Sequence, residues 1–174
     1  IEQEDPSWLK GKGDDFFRGG DVLSAINAYS AALDIDETHL ACLSNRATCY
    51  LRLGQYMDCK ADCTEALDLI DKEVLEASEA SANDTMKAKL LLRRGAVECQ
   101  LGFFIGSLGD YRAAQNMIVN QGVVVAGVSA EQLEQDMTLL ENLQRMDGLK
   151  RQADGQFAEG EVQRALDLYT EAFE

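Results

Sequence analysis

Residues 6–39, PSWLKGKGDDFFRGGDVLSAINAYSAALDIDETH, align without a gap on residues 40–73, LACLSNRATCYLRLGQYMDCKADCTEALDLIDKE, a period of 34 residues. After a spacer at 74–87, residues 88–121, AKLLLRRGAVECQLGFFIGSLGDYRAAQNMIVNQ, supply a third copy. Down the columns stand Leu9, Leu43 and Leu91, then Gly13, Ala47 and Gly95, then Gly20, Gly54 and Gly102. The later columns read Ala25, Cys59 and Ser107, then Tyr29, Cys63 and Tyr111, then Ala32, Ala66 and Ala114. Small residues at fixed places let two antiparallel helices approach closely, and the Leu and Tyr columns fill the space between them. Self-similarity at this period is the signature of a stack of helical hairpins, so the expected class is all-α.

Working outward, Asp5 is placed to cap the first helix and Pro6 fits its first position, where a missing N–H costs nothing. The paired Gly19 and Gly20 make the first turn. Glu37, Asp71 and Val119 follow the second helix of each unit where a proline would stop it, so those helices are expected to run on into the next unit. In the spacer a lengthened second helix and a loop are expected, with Asn83 and Asp84 capping a new helix at Thr85. Residues 122–174 read as an irregular segment, a capping helix and a partial fourth repeat. The β-branched run from Val119 to Val128 suggests irregular backbone. Ser129 followed by Gln132 then opens a long helix carrying Leu133, Met137, Leu140, Leu143 and Leu149. From Leu149 to Phe173 the first unit recurs at an offset of 140, with Lys150, Asp154, Phe157, Gly160, Ala165, Tyr169 and Ala172 copying Lys10, Asp14, Phe17, Gly20, Ala25, Tyr29 and Ala32. The start at Ile1 and the stop inside this unit suggest a fragment of a longer protein.

The 174 residues are 46% hydrophobic and 27% charged, which is the composition of a folded domain and not of a disordered tail. No run approaches the roughly 18 apolar residues of a membrane span. Thirty-one Asp and Glu against 16 Lys and Arg give a formal charge of −15, which disfavours nucleic acid and acidic membrane as partners. Cys42, Cys49, Cys59, Cys63 and Cys99 form no CxxC, and His39 is the only histidine. No metal or other cofactor is expected, and a reducing compartment is.

Catalytic constellations are not found. Cys59 and Cys63 lie one helical turn apart, yet they occupy core columns, so packing is the better reading than metal or redox chemistry. His39 reads as a linker residue between units. Asp14 with Asp15, and Asp34 with Asp36, read as solvated acidic faces. The informative set is basic. In stacked hairpins the first helix of each unit lines the concave groove. Lys10 and Asp14 are i and i+4 on the first such helix, Asn45 comes from the second, and Lys89 and Arg93 are i and i+4 on the third. Lys12, Arg46 and Arg94 are expected to add a local positive field, effective within a screening length of about 8 Å.

This pattern resembles the tetratricopeptide repeat, a family of 34-residue helix-turn-helix units, over about residues 6–121 (6–39, 40–73 and 88–121). The resemblance implies a right-handed superhelix of hairpins with a long C-terminal capping helix. Trp8, one place before the family's first signature position, and Glu98, in the column of Phe16 and Tyr50, are departures from its pattern. The basic set is similar to the dicarboxylate clamp of chaperone-binding members, which hold a C-terminal aspartate with Lys, Asn, Asn, Lys and Arg. Four of the five types match, at Lys10, Asn45, Lys89 and Arg93. Each charge-assisted hydrogen bond from such a donor contributes about 1.5 to 3 kcal/mol. Asp14 stands where the clamp has its first asparagine. A carboxylate there, about 4 Å from a ligand carboxylate, costs up to about 4 kcal/mol at an effective dielectric of 20, unless it pairs with Lys10 instead.

Within the family, WLKGKGDDFF (8–17), INAYSAAL (26–33), LSNRATCYLRLGQY (43–56) and MKAKLLLRRGAVECQLG (86–102) resemble co-chaperones that assemble axonemal dynein arms. That resemblance, over about residues 7–117, implies a cytoplasmic module docking the acidic C-terminal tails of 70 and 90 kDa heat-shock chaperones. It also implies a small-heat-shock-like client domain upstream and other dynein assembly factors as partners. The alternative is a general scaffold that binds an internal peptide or helix along the groove with Tyr50 and Leu51, without a working carboxylate clamp.

Overall fold

The computed structural model describes residues 5–72 and 80–173. Eight α-helices follow one another among the described residues: α1 (Pro6–Arg18), α2 (Val22–Ile35), α3 (Leu40–Arg52), α4 (Tyr56–Lys72), α5 (Ala80–Gln100), α6 (Phe104–Gln115), α7 (Ala130–Ala158) and α8 (Val162–Phe173). A π-helical turn, Asn116–Asn120, continues α6. The helices pack as hairpins α1 with α2, α3 with α4, α5 with α6 and α7 with α8, and each hairpin packs on the next. The all-α stack expected from the repeat is what forms.

Local chemistry sets the helix ends. Asp5 accepts from the Ser7 N–H at 2.9 Å with Pro6 at the first helical position, and Asp21 accepts from the Ser24 N–H at 3.0 Å. His39 does more than link two units: it is the N-cap of α3, its Nδ1 accepting from the Cys42 N–H. Ser129 Oγ accepts from the Gln132 N–H at 3.1 Å and opens α7. The turn between the helices of every hairpin carries a glycine in the left-handed region, at φ 84° for Gly20, 72° for Gly54, 79° for Gly102 and 84° for Gly160. Any other L-residue there is strained.

Three expectations are corrected. Asn83 and Asp84 cap nothing, because α5 already begins at Ala80 and both lie inside it; the proposed lengthening of α4 and its loop fall on residues 73–79, outside the described residues. The second helix of the first unit does not run on, since α2 stops at Ile35 and Asp36 takes an extended conformation at φ −135° and ψ 93°. The capping helix and the first helix of the fourth unit are not separate elements. They are one 29-residue helix, α7, about 43 Å long at 1.5 Å per residue. Leu133 and Leu140 pack near its start, and Ala153 is buried near its end. The valine-rich segment is irregular from Gln121 to Ser129, with positive φ at Gly122 and Gly127.

The core follows the columns. Ala25, Tyr29, Ala32, Cys42, Leu43, Ala47, Cys49, Cys59, Cys63 and Ala66 are buried in one cluster that continues through Ala88, Leu90, Leu91 and Val97. Its tightest points are where α1 meets α2 and α5 meets α6. A Cβ on Gly13 would lie 2.5 Å from the Tyr29 ring, and one on Gly95 would lie 2.6 Å from the Tyr111 ring. Where the small residue is Ala47 the facing column holds the smaller Cys63, so size is conserved across the pair. Glu98 is buried where other units place an aromatic ring; its carboxylate pairs with Lys60 at 2.8 Å and lies against Gly106.

Gly13→Ala is expected to cost about 1 to 3 kcal/mol by overpacking against Tyr29. Gly11→Ala, two residues away with open space around its Cα, is expected to stabilise by about 0.8 to 1 kcal/mol through helix propensity. Opposite shifts of the urea midpoint in the two variants check both.

Candidate functional site

The first helices α1, α3 and α5 lie side by side and carry the basic set. Lys10 and Asp14, one turn apart on α1, pair at 2.7 Å between Nζ and Oδ2. The other carboxylate oxygen of Asp14, Oδ1, accepts from the Tyr29 hydroxyl of α2 at 2.7 Å and from Asn45 Nδ2 of α3 at 3.0 Å. Asp14 thus gathers donors from three helices, and is not part of a solvated acidic face. Burial pushes its pKa up, but the hydrogen bonds from Lys10, Tyr29 and Asn45, with the Lys10 charge, outweigh that and hold it below the usual carboxylate range. Burial first, and then the same carboxylate, push the Tyr29 phenol upward.

On α5, Lys89 is exposed and has no ion-pair partner among the described residues. Arg93, one turn on, donates from Nη1 to the Ser44 carbonyl oxygen at 2.9 Å and to Ser44 Oγ at 3.3 Å. It is thereby held beside the residue preceding Asn45. The structure therefore brings Lys10, Asp14 and Asn45 to one point, and lashes Arg93 to α3 next to it. Beside Asp14 a hollow is lined by Phe17, Arg18, Tyr29, Asn45 and Thr48. The sequence reading missed Tyr29 as a member of this site. A signal existed, because the Lys, Asp and Tyr of the first unit recur together as Lys150, Asp154 and Tyr169. In the fourth unit Lys150 pairs with Asp154 at 3.1 Å, and the Tyr169 hydroxyl donates to Asp154 Oδ1 at 2.5 Å.

Arg46 and Arg94 do not supply the free positive field expected of them. Arg46 makes a two-pronged pair with Asp62 of α4, at 2.9 Å from Nε and 2.8 Å from Nη2, and its Nη1 donates to Ser30 of α2 at 3.0 Å. Arg94 repeats this one unit later, reaching Asp110 of α6 at 2.7 Å twice and Thr64 of α4 at 3.3 Å. Each arginine ties its own hairpin to the preceding one, and both Asp62 and Asp110 are buried. Arg and Asp sixteen residues apart in both units were the available sign. In the first unit the same columns hold Lys12 and Ala28, and Lys12 sits 5.2 Å over the Trp8 ring instead. Cys59 and Cys63 are fully buried, as their columns suggest.

Arg94→Ala strands the buried Asp110 carboxylate and is expected to destabilise by about 3 to 5 kcal/mol, read from denaturant midpoints. Asp14 gives a pH signature of defined sign. Its folded pKa is depressed, so its contribution is present above the unfolded value near 3.9 and is lost as pH falls through the lower folded value. Stability of the Asp14→Asn variant, followed by the same titration, is expected to fall less steeply below about pH 4 than that of the parent chain.

No protein-family model matches the chain. Over 113 residues it is 37% identical to "Dynein axonemal assembly factor 4" of Pongo pygmaeus, covering 65% of this chain and 26% of that protein, so the chain spans about a quarter of that relative's length. Among solved structures, the Arabidopsis OM64 TPR domain matches with a TM-score of 0.60 at 22% identity, over 79% of this chain and 98% of that one. The second TPR of Spaghetti, solved bound to the HSP90 peptide SRMEEVD, matches with a TM-score of 0.52 at 25% identity, over 64% of this chain and 91% of that one. Among the described residues no helix is long and apolar enough to cross a membrane. The chain has the tetratricopeptide fold, and over those 113 residues it is homologous to dynein axonemal assembly factor 4.

Proposed function

We propose that this chain is the protein-interaction module of a co-chaperone, and that it docks the acidic C-terminal tails of 70 and 90 kDa heat-shock chaperones. The observation that carries the reading is the convergence of Lys10 and Asn45 on one carboxylate, that of Asp14, with Arg93 held alongside and Lys89 exposed one turn away. Donors that already hold a carboxylate have the geometry to hold another of the same kind. The solved complex of the Spaghetti domain with an HSP90 peptide supports a tail as the ligand. The homology to a dynein axonemal assembly factor supports cytoplasmic preassembly of dynein arms as the setting, with other assembly factors as further partners. The role is recognition, with no chemical step assigned to any residue.

Asp14 sets the strength of docking. A ligand carboxylate must share Lys10 and Asn45 with it or displace it, at a cost of up to about 4 kcal/mol for two charges 4 Å apart at an effective dielectric of 20. The same observation favours a second reading, in which the groove receives an internal segment and no free terminal carboxylate is read.

Calorimetric titration with SRMEEVD, carrying either a free or an amidated C-terminus, separates the two. The expected result is binding of the free acid, loss of binding in Lys89→Ala and Arg93→Ala, and tightening of at least about tenfold in Asp14→Asn. Equal binding of the two peptides, or none by either, replaces tail docking with the scaffold.

A further inference from the structure

The hollow beside Asp14, lined by Asp14, Phe17, Arg18, Tyr29, Asn45 and Thr48, has a volume of about 290 Å³, room for a side chain. Most of its donors are already spent. The Tyr29 hydroxyl and one N–H of Asn45 go to Asp14 Oδ1, and the Thr48 hydroxyl goes to the Ser44 carbonyl of its own helix at 2.9 Å. What these groups leave over is acceptors. A carboxylate has about four lone-pair sites, and Asp14 uses three of them, for Lys10, Tyr29 and Asn45. The Thr48 oxygen and Asn45 Oδ1 accept no hydrogen bond among the described residues. Beside them one Asn45 N–H is left to donate.

Charge is balanced at the same point. Lys10 meets Asp14 at 2.7 Å, and Arg18, with its side chain 75% exposed, meets Asp15 at 2.5 Å. A carboxylate entering the hollow would face Asp14 with no unpaired cation in the lining, and a cation would have Lys10 and Arg18 beside it. An uncharged side chain that carries N–H donors meets neither penalty. A carboxamide fits best, because its N–H groups supply the open acceptors and its oxygen takes the remaining Asn45 N–H. The unpaired positive charge stands on the next first helix instead. Lys89 is exposed with no ion-pair partner among the described residues, and Arg93, one turn on, reaches Ser44, the residue before Asn45.

We propose that the site reads one carboxylate and one carboxamide on the same terminal residue. The backbone carboxylate of the tail lies on Lys89 and Arg93, where charge-assisted hydrogen bonds hold it, and an Asn or Gln side chain enters the hollow against Asp14 and Asn45. Asp14 is the residue that sets this specificity, ranking a tail that ends in Asn or Gln above the same tail ending in Asp. The specificity rests on tail docking, which it narrows to the chemistry of the last residue.

Calorimetric titration of the chain with three peptides tests it: SRMEEVN and SRMEEVD with free C-termini, and SRMEEVD amidated, which carries the groups of SRMEEVN with carboxylate and carboxamide exchanged. In the parent chain SRMEEVN is expected to bind at least about tenfold more tightly than SRMEEVD, and the amidated peptide most weakly. In Asp14→Asn, where the carboxylate is gone, the preference for SRMEEVN is expected to be lost. The order in the parent chain needs no variant to fold. Binding of SRMEEVD as tight as that of SRMEEVN, with the amidated peptide still weaker, overturns this specificity and leaves tail docking standing. A preference for SRMEEVN that Asp14→Asn leaves unchanged also overturns it, because Asp14 is then not its source. Equal binding of free and amidated SRMEEVD, or none by either, is the failure of tail docking and overturns the specificity with it.

Discussion

Tyr29 lying flat against Gly13 is the contact on which both the stack and the groove depend. The ring occupies space that a single Cβ on Gly13 would take, so α1 and α2 approach until the phenol reaches across to Asp14. A ring buried at that depth contributes much of the local apolar burial. Its hydroxyl then fixes one oxygen of the carboxylate that organises Lys10 and Asn45. The interaction that closes the first hairpin is therefore also the one that positions the basic set. The fourth unit repeats only the hydrogen bond, from the half-buried Tyr169 to Asp154, with Ala153 in place of the glycine.

Two kinds of polar contact divide the charges of the chain. Arg46 with Asp62 and Arg94 with Asp110 are held between helices, largely out of water, and their two-pronged geometry compensates the cost of burying them. Each pair closes its own hairpin, while the same arginine reaches the preceding hairpin through Ser30 or Thr64, so both guanidinium groups are engaged within the stack. Lys10, Asn45 and Arg93 are half-buried and Lys89 is exposed, so their donors remain within reach of a partner. The strongly acidic surface slows approach of an anionic tail, while the groove cations act at short range where screening is weakest. Asp14 stands at the boundary between these roles. It neutralises part of the groove, stabilises the free protein and competes with the ligand proposed for it.

The periodic columns were legible because stacking imposes the same spatial demand every unit: small against large at Gly13 and Tyr29, glycine at each turn, alanine where helices cross. A local signal sufficed for Asp5, Pro6 and Ser129 as well, since a cap depends on backbone groups two or three residues away. The errors fell where distant context decides. Asn83 and Asp84 have the composition of a cap, but α5 already begins at Ala80 and both lie inside it. The capping helix and the start of the partial fourth repeat read as successive parts of the chain, and they are one continuous helix from Ala130 to Ala158.

Sequence alone determined the fold class and the residue types of the candidate site, because repeat period and column chemistry are properties of the chain itself. Only the tertiary structure decided which charges are available. Arg46 and Lys10 are both cations on first helices, and nothing local distinguishes the one consumed by a buried carboxylate from the one facing the groove. Nor does any local feature show that Asp14 is held by Tyr29, 15 residues on, and Asn45, 31 residues on. Hydrogen bonds act over about 3 Å. Which groups come within that distance is set by how the hairpins stack, and stacking is a property of all the helices at once.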